Sequence, residues 1–330
     1  MKSSPEQIRD FLTTNGDLLV VIHFSPDGDA VGSLLAFGAM LDQLGVGYVL
    51  AVDDIVPERY SFLPGFEKIR NLSELPLNKV FDRVVVLDAG ALPRIGSAQA
   101  CIGKKTKILN IDHHFTGPYY GSINHVNVKA CATAEILFDL CIQLELEINQ
   151  QIAYGLYVGI LTDTGRFSFS NTGPRALEIC ADLIRRGVDP SRITDNVYHN
   201  QSFESVKALS SALSTLELHK DGLICLLSLD RDHDTNDTEG FVEHALSIKG
   251  VVLAAFLREM HEELYKVSLR SRCQVDVSEV AAKFGGGGHL KAAGFRFTGM
   301  KNDLVDGLIE EFERQLELHN IHTGNGSDDQ

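Results

Sequence analysis

No run in this chain of 330 residues approaches the roughly 18 consecutive apolar positions that crossing a bilayer requires. The opening MKSSPEQIRD lacks both a basic n-region and an apolar h-region, so no secretory leader is expected and the chain reads as cytoplasmic, with no membrane partner. Paired cysteines are lacking too. Cys101, Cys131, Cys141, Cys180, Cys225 and Cys273 are scattered, with no CxxC and no histidine at zinc-finger spacing, which excludes a disulfide framework and a structural zinc site and leaves free, buried thiols. Positive charge is scarce. Against 45 Asp+Glu stand 30 Lys+Arg, and the formal charge of -15 opposes long duplex DNA and anionic membranes while leaving a short anionic substrate open. There is no internal repeat and no low-complexity tract.

What is present is enough apolar material, 44% of residues, to bury a sizeable core, and a length that suggests two domains with a cleft between them. The first half alternates short apolar runs (LLVVIHF, GYVLAVDD, FDRVVVLDAG, KILNIDHH) with helical patterns such as residues 30–44, a βαβ rhythm. It predicts an α/β fold whose largely parallel sheet carries helices on both faces. Three further helical patterns follow, ending in PRALEICADLIRRG. Strand signals resume with GLICLLSLD, VVLAAFLRE and LYKVSLRSR, so a smaller α+β domain is expected there. The division is then 1–190 for the first domain, 191–218 as a helical linker, 219–318 for the second, and 319–330 as a disordered tail.

Every predicted strand of the first domain ends in acidic residues or histidine. In open parallel sheets the carboxyl ends of strands gather the site, so residues far apart in sequence can converge there. His23, Asp27 and Asp29 sit where a strand gives way to a helix, with Pro26 and Gly28 permitting an irregular turn; Asp before a helix also reads as an N-cap. Asp88 ends VVVLDAG and also reads as a turn residue before Gly90. Asp112, His113 and His114 directly after a buried strand are harder to justify by packing, since such groups need partners once desolvated. Asp163 closes an apolar helix, where the helix dipole disfavours a negative charge that no cation offsets.

His23, Asp27, Asp29, Asp88, His113 and Asp163 together suit a dinuclear site, in which a bridging carboxylate holds two cations about 3.5–4 Å apart for attack at phosphorus. Oxygen ligands mixed with imidazole favour Mn²⁺ over Mg²⁺, with Co²⁺ a further alternative. In the second domain Gly285, Gly286, Gly287 and Gly288 precede His289. The run completes neither a P-loop nor GxGxxG, and reads either as a flexible loop or as backbone exposed to a phosphate; Arg270 on a nearby strand adds an anion-gripping fork.

HFSPDGDAVGS, VVVLDAG, NIDHH and GILTDTGRF resemble the four motifs of the DHH phosphoesterases, and SLRS and GGGGHLKAAGF resemble the DHHA1 domain that follows them. The six ordered motifs span residues 15–315. Chain length is similar to that of the bacterial nano-RNase and pAp-phosphatase group. The resemblance implies two Mn²⁺, one on His23, Asp27 and Asp88 and the other on Asp29, Asp88, His113 and Asp163. Asp112 would orient its neighbours, His114 would lie beside the scissile phosphate, and Arg270, Ser271, Gly285–Gly288 and His289 would hold the nucleotide across an inter-domain cleft. Short oligoribonucleotides and adenosine 3′,5′-bisphosphate (pAp) are the implied substrates, and a homodimer the implied state. Cleavage of cyclic di-AMP or of pApA, and a nucleotide sensor without turnover, are the alternatives. Arg94 and Thr133 fall in family-like stretches without an assigned role, and His125, His199 and His233 match no motif.

Overall fold

Short, uninterrupted β-branched and leucine runs make strands that are buried on both faces, and such strands belong in the middle of a parallel sheet. The computed structural model describes residues 3–76, 79–114, 119–233, 235, 238–272, 274–288 and 290–321; Cys273, His289 and the tail from His322 lie outside the described residues. The chain divides into two compact units, Met1–Asn200 and Gln201–Gln330.

In the first unit β1 (Leu18–Val21), β2 (Val49–Val52), β3 (Ile69–Asn71), β4 (Phe81–Leu87), β5 (Ile102–Asp112) and β6 (Ile123–Val126) form one sheet in the order β3-β2-β1-β4-β5-β6. Every pairing is parallel, with Val21 opposite Val86 and Leu87 opposite Ile111. Helices α1 (Pro5–Thr13), α2 (Gly28–Gln43), α3 (Thr133–Gln143), α4 (Gln150–Asp163), α5 (Pro174–Arg185) and α6 (Pro190–Tyr198) all contribute to one core, against Leu18, Val20, Val85, Leu87, Leu109 and Ile111. The alternate residues Leu19, Val21, Val84 and Val86 face a smaller core closed by Ile95 and Ala98 of a 3-10 segment, Leu92–Cys101. Helices thus cover both faces, though unequally.

The sequence marks where helices begin. Ser4 closes a capping box with Gln7 ahead of α1, and Asn149 accepts from the backbone N–H of Ile152 ahead of α4. Helices α2 and α4 are apolar around most of their circumference and pack backbone against backbone. A Cβ on Gly32 would lie 2.3 Å from the Gly155 carbonyl oxygen, and one on Gly155 would lie 2.5 Å from that of Gly32.

The second unit begins with α7 (Phe203–Leu213) and continues through β7 (Glu217–His219), β8 (Ile224–Leu229), α8 (Phe241–Leu246), β9 (Leu253–His261), β10 (Leu264–Ser271), α9 (Val277–Lys283), β11 (Gly287–Gly288), β12 (Ala292–Thr298) and α10 (Lys301–Leu318). Its sheet runs β11-β12-β10-β9-β8-β7 and is mixed, with β8 and β9 parallel and the other pairs antiparallel. Helices α9 and α10 cover one face and α7 and α8 the other. The stretch expected as a linker, 191–218, holds helices that are each buried within their own unit: Ile193 and Val197 of α6 in the first, Ala208 and Ala212 of α7 in the second. Among the described residues the five cysteines are free thiols, and no helix is long and apolar enough to cross a membrane.

Candidate metal centre

Strands β1, β4 and β5 all run out on the same side of the sheet, and each hands over to polar residues there. After β1 the chain turns through Ser25, at φ +52°, whose N–H donates to Asp54 Oδ2 at 2.9 Å. Asp27 then caps α2, accepting from the N–H of Ala30 at 3.0 Å, and Asp29 lies in the first turn. After β4, Asp88 adopts φ +56°, a region that Asp tolerates better than most side chains, with its N–H donating to the Ile111 carbonyl at 3.1 Å. Gly90, at φ +65°, has its N–H on Asp112 Oδ2 at 2.7 Å, and a Cβ there would press on the His114 ring at 3.3 Å. Asp163 is the last residue of α4.

The side chains so delivered form three overlapping groups whose nitrogen and oxygen atoms lie within 4.8 Å of one another: His23, Asp27 and Asp88; Asp29, His113 and Asp163; and Asp88, His113 and His114. His23 Nδ1 faces the Phe24 carbonyl at 2.8 Å, and its Nε2 lies 3.8 Å from both Asp27 Oδ1 and Asp88 Oδ2. His113 Nδ1 faces the Ala130 carbonyl at 3.3 Å, and its Nε2 lies 3.5 Å from Asp88 Oδ1 and from Asp163 Oδ2. A carbonyl can only accept, so in each ring Nδ1 is the donor, and in the neutral ring Nε2 presents its lone pair to the carboxylates. That is the tautomer a metal ligand needs, set by the hydrogen bond on its far side.

The electrostatics agree. Burial, followed by the charges of Asp29, Asp27, Asp112 and Asp163, pushes the Asp88 carboxyl well above the usual carboxylate range. Burial likewise raises Asp29, and carries Asp163 up to about 8 although His113 opposes it. Burial alone would lower His113, but Asp163, Asp29 and Asp112 outweigh it and raise it. This is a concentration of negative charge with inward-facing imidazoles, and divalent cations fit it: they would neutralise the carboxylates and take up the Nε2 lone pairs.

Asp112 stands apart. Burial acts against its charge, yet the hydrogen bond and charge of His114 hold its carboxyl well below the ordinary range. It accepts from His114 twice, from Nδ1 at 2.6 Å and from the backbone N–H at 3.0 Å, as well as from Gly90. Burial lowers His114 against the pull of Asp112, which favours the neutral ring with Nδ1–H donating and Nε2 as acceptor.

Ser33, Thr133, Ala134, Gly159 and Asn171, none of which carries a role assigned from the sequence, complete this end of the sheet. Asp29 Oδ1 accepts from Ser33 Oγ at 3.1 Å and from the backbone N–H of Ala134 at 3.0 Å, while Asp29 Oδ2 accepts from the N–H of Thr133 at 2.6 Å. Gly159 makes room for that carboxylate: a Cβ there would lie 2.5 Å from Asp29 Oδ1 and 2.6 Å from the Ala134 Cβ. The spacing Gly28, Gly32 on α2 and Gly155, Gly159 on α4 was a visible signal for close helix contact. Asn171 Nδ2 bonds the carbonyls of Cys131 and Asp163 at 2.9 and 3.0 Å, tying the end of α4 to the approach to α3.

In the second unit the two expected motifs meet at one edge of the sheet. Arg270 pairs with Ala292, Ser268 with Gly294, and Gly294 in turn with Gly287. Arg270 Nε donates to Glu243 Oε1 at 2.8 Å, and the Ser271 hydroxyl donates to the Val275 carbonyl at 2.6 Å. Two of the four glycines are required by close packing: a Cβ on Gly286 would lie 2.2 Å from the Gly294 carbonyl oxygen, and one on Gly288 would lie 2.5 Å from that of Ala292. Around Gly287 the space is open.

Comparison with known proteins follows this division. Residues 17–160 match the DHH family, N-terminal domain, and residues 221–318 match the DHHA1 domain. Over 307 residues the chain is 34% identical to a bifunctional oligoribonuclease and PAP phosphatase, NrnA, of Thermus thermophilus, covering 92% of this chain and 89% of that protein. A protein of the same description from Bacillus subtilis is 26% identical over 317 residues, covering 90% and 94%. Among solved structures, an exopolyphosphatase-related protein from Bacteroides fragilis is similar with a TM-score of 0.84 at 29% identity, over 96% of both chains.

Proposed function

The chain belongs to the DHH family of phosphoesterases, and on that premise we propose that it hydrolyses short nucleotides, acting as a 3′–5′ exoribonuclease on the shortest oligoribonucleotides and as a 3′-phosphatase on pAp. The observation that carries this reading is the convergence of four aspartates with two histidines whose Nε2 atoms face them. The names of the Thermus thermophilus and Bacillus subtilis relatives support both substrates. The two reactions share one chemistry, since in each a water attacks a phosphorus attached to a ribose 3′ oxygen.

In this reading His23, Asp27 and Asp88 would hold one divalent cation, and Asp29, Asp88, His113 and Asp163 would hold the other. Mn²⁺ held there would supply Lewis acidity toward the phosphoryl oxygens and would acidify a water. Asp112, ionised, keeps the proton of His114 on Nδ1 and leaves Nε2 as the acceptor. His114 Nε2 is thereby suited to accept a proton from the attacking water, the departing ribose oxygen taking its proton from solvent. In the second unit Arg270, oriented by Glu243, offers its guanidinium to a phosphate, and the open backbone around Gly287 lets a nucleotide approach closely. Ser271 supports that edge through Val275.

The test is hydrolysis of pAp and of the dinucleotide pApA by the Mn²⁺-loaded protein beside its Asp88→Ala variant. Release of phosphate from pAp and of AMP from pApA, lost in the variant, is the expected result. Both substrates surviving intact would reject the reading, and turnover that persists without Asp88 would move the chemistry elsewhere.

A further inference from the structure

Thr133 is the first residue of α3 and is fully buried. The helix has no side-chain cap of its own, because the N-cap position is Ala132. Its leading N–H groups go instead to a carboxylate from another helix: Thr133 N–H to Asp29 Oδ2 at 2.6 Å and Ala134 N–H to Asp29 Oδ1 at 3.0 Å. A helix N-terminus favours an anion both by its dipole and by its unsatisfied N–H groups. The Thr133 hydroxyl has a separate partner, donating to Asp88 Oδ1 at 3.0 Å.

A single residue thus grips two carboxylates from different elements, Asp29 of α2 with its backbone and Asp88 after β4 with its side chain. Asp29 belongs to the group with His113 and Asp163; Asp88 belongs to the group with His23 and Asp27. A hydroxyl has one proton to give, and giving it to Oδ1 fixes the rotation of the Asp88 carboxylate, with Oδ2 turned to His23 at 3.8 Å. We propose that Thr133 is a positioning residue of the metal centre, setting the spacing and orientation of Asp29 and Asp88 with respect to each other. The inference rests on the two-cation reading above.

The experiment compares the full chain with Thr133→Val, Thr133→Ser and Asp88→Ala, after chelation, by calorimetric titration with Mn²⁺ and by steady-state kinetics on pAp. Valine keeps the branched shape and removes the donor; serine keeps the donor and removes the methyl. In Thr133→Val, Mn²⁺ affinity falls about 10- to 100-fold, the usual cost of losing a group that orients a ligand. Its kcat falls with it while KM for pAp stays within about twofold, and Thr133→Ser restores both. Wild-type affinity and kcat in Thr133→Val would overturn the proposal. Equal losses in the valine and serine variants would also overturn it, because the hydroxyl would then not be the operative group. A wild-type chain that takes up no more Mn²⁺ than Asp88→Ala would overturn the metal reading itself, an outcome distinguishable from the other two.

Discussion

The carboxyl end of the first sheet and the motif-bearing edge of the second are built on opposite principles. At the first, His23, Asp29, Asp88, Asp112, His113 and His114 are all buried, and the carboxylates of Asp29, Asp88 and Asp163 are pushed up by burial and by their neighbours' charge. At the second, Arg270 is already matched by Glu243 and Ser271 by a backbone carbonyl, and the glycines serve strand packing as well as access. One region carries an electrostatic cost that a bound cation would relieve; the other is satisfied without a ligand. The difference teaches that substitutions in the first should act on turnover, and those in the second on affinity for the nucleotide.

The largest effect that would sharpen this contrast is expected from Asp88→Ala, with kcat reduced on the order of 10³-fold in initial-rate assays, since in the proposed function this carboxylate would serve both cation positions. Gly159→Ala comes next. Alanine is favoured over glycine inside a helix by about 1 kcal/mol, so a loss of Mn²⁺ affinity of about 10- to 100-fold by calorimetry would come from displacing Asp29, not from unwinding α4. Arg270→Lys should raise KM for pAp about tenfold with kcat within about twofold, because lysine lacks the planar fork. A fall in kcat at unchanged KM there would break the comparison.

The smallest effect is the pH dependence of the chelated protein. A carboxyl whose folded pKa is raised binds its proton more tightly folded than unfolded, so stability is lost as pH rises from the ordinary carboxylate range through the folded value. For Asp163 that window extends up to about 8, and the raised Asp29, Asp88 and His113 act with the same sign. Thermal melts should therefore show the chelated chain losing a few degrees between about pH 5 and pH 8.5, with saturating Mn²⁺ removing most of the slope. Asp112 and His114 have the opposite sign: the contribution of Asp112 is lost only in strong acid, and that of His114 offsets part of the fall below the ordinary histidine value. A melting temperature that holds level or climbs over that range would mean that the carboxylates are not crowded as described.

Much of the centre was legible because it is costly. Aspartate and histidine at the ends of β1, β4 and β5 violate the burial pattern of the strands that carry them, and a parallel sheet brings strand ends together whatever their separation in sequence. The ambiguity over Asp27 dissolves, since it caps α2 and also faces His23. Thr133 was not legible as part of the site. An ordinary threonine opening a helix takes its significance from Asp29 and Asp88, which lie 104 and 45 residues away. The edge strands β3 and β6, of 3 and 4 residues, are too short to stand out as periodic patterns. In the second domain, the pairing of Arg270 with Glu243 depends on α8 packing beside β10, which no local pattern encodes.

The contact between α2 and α4 at Gly32 and Gly155 has a consequence for how the centre responds to change. Side chains interposed between helices can switch rotamers and absorb a perturbation, whereas two backbones in contact have no such slack. The separation of Asp29 from Asp163 is therefore carried by main chain, as a rigid gauge block would carry it. Drift in the surrounding apolar residues can then accumulate without rescaling the gap between these two carboxylates.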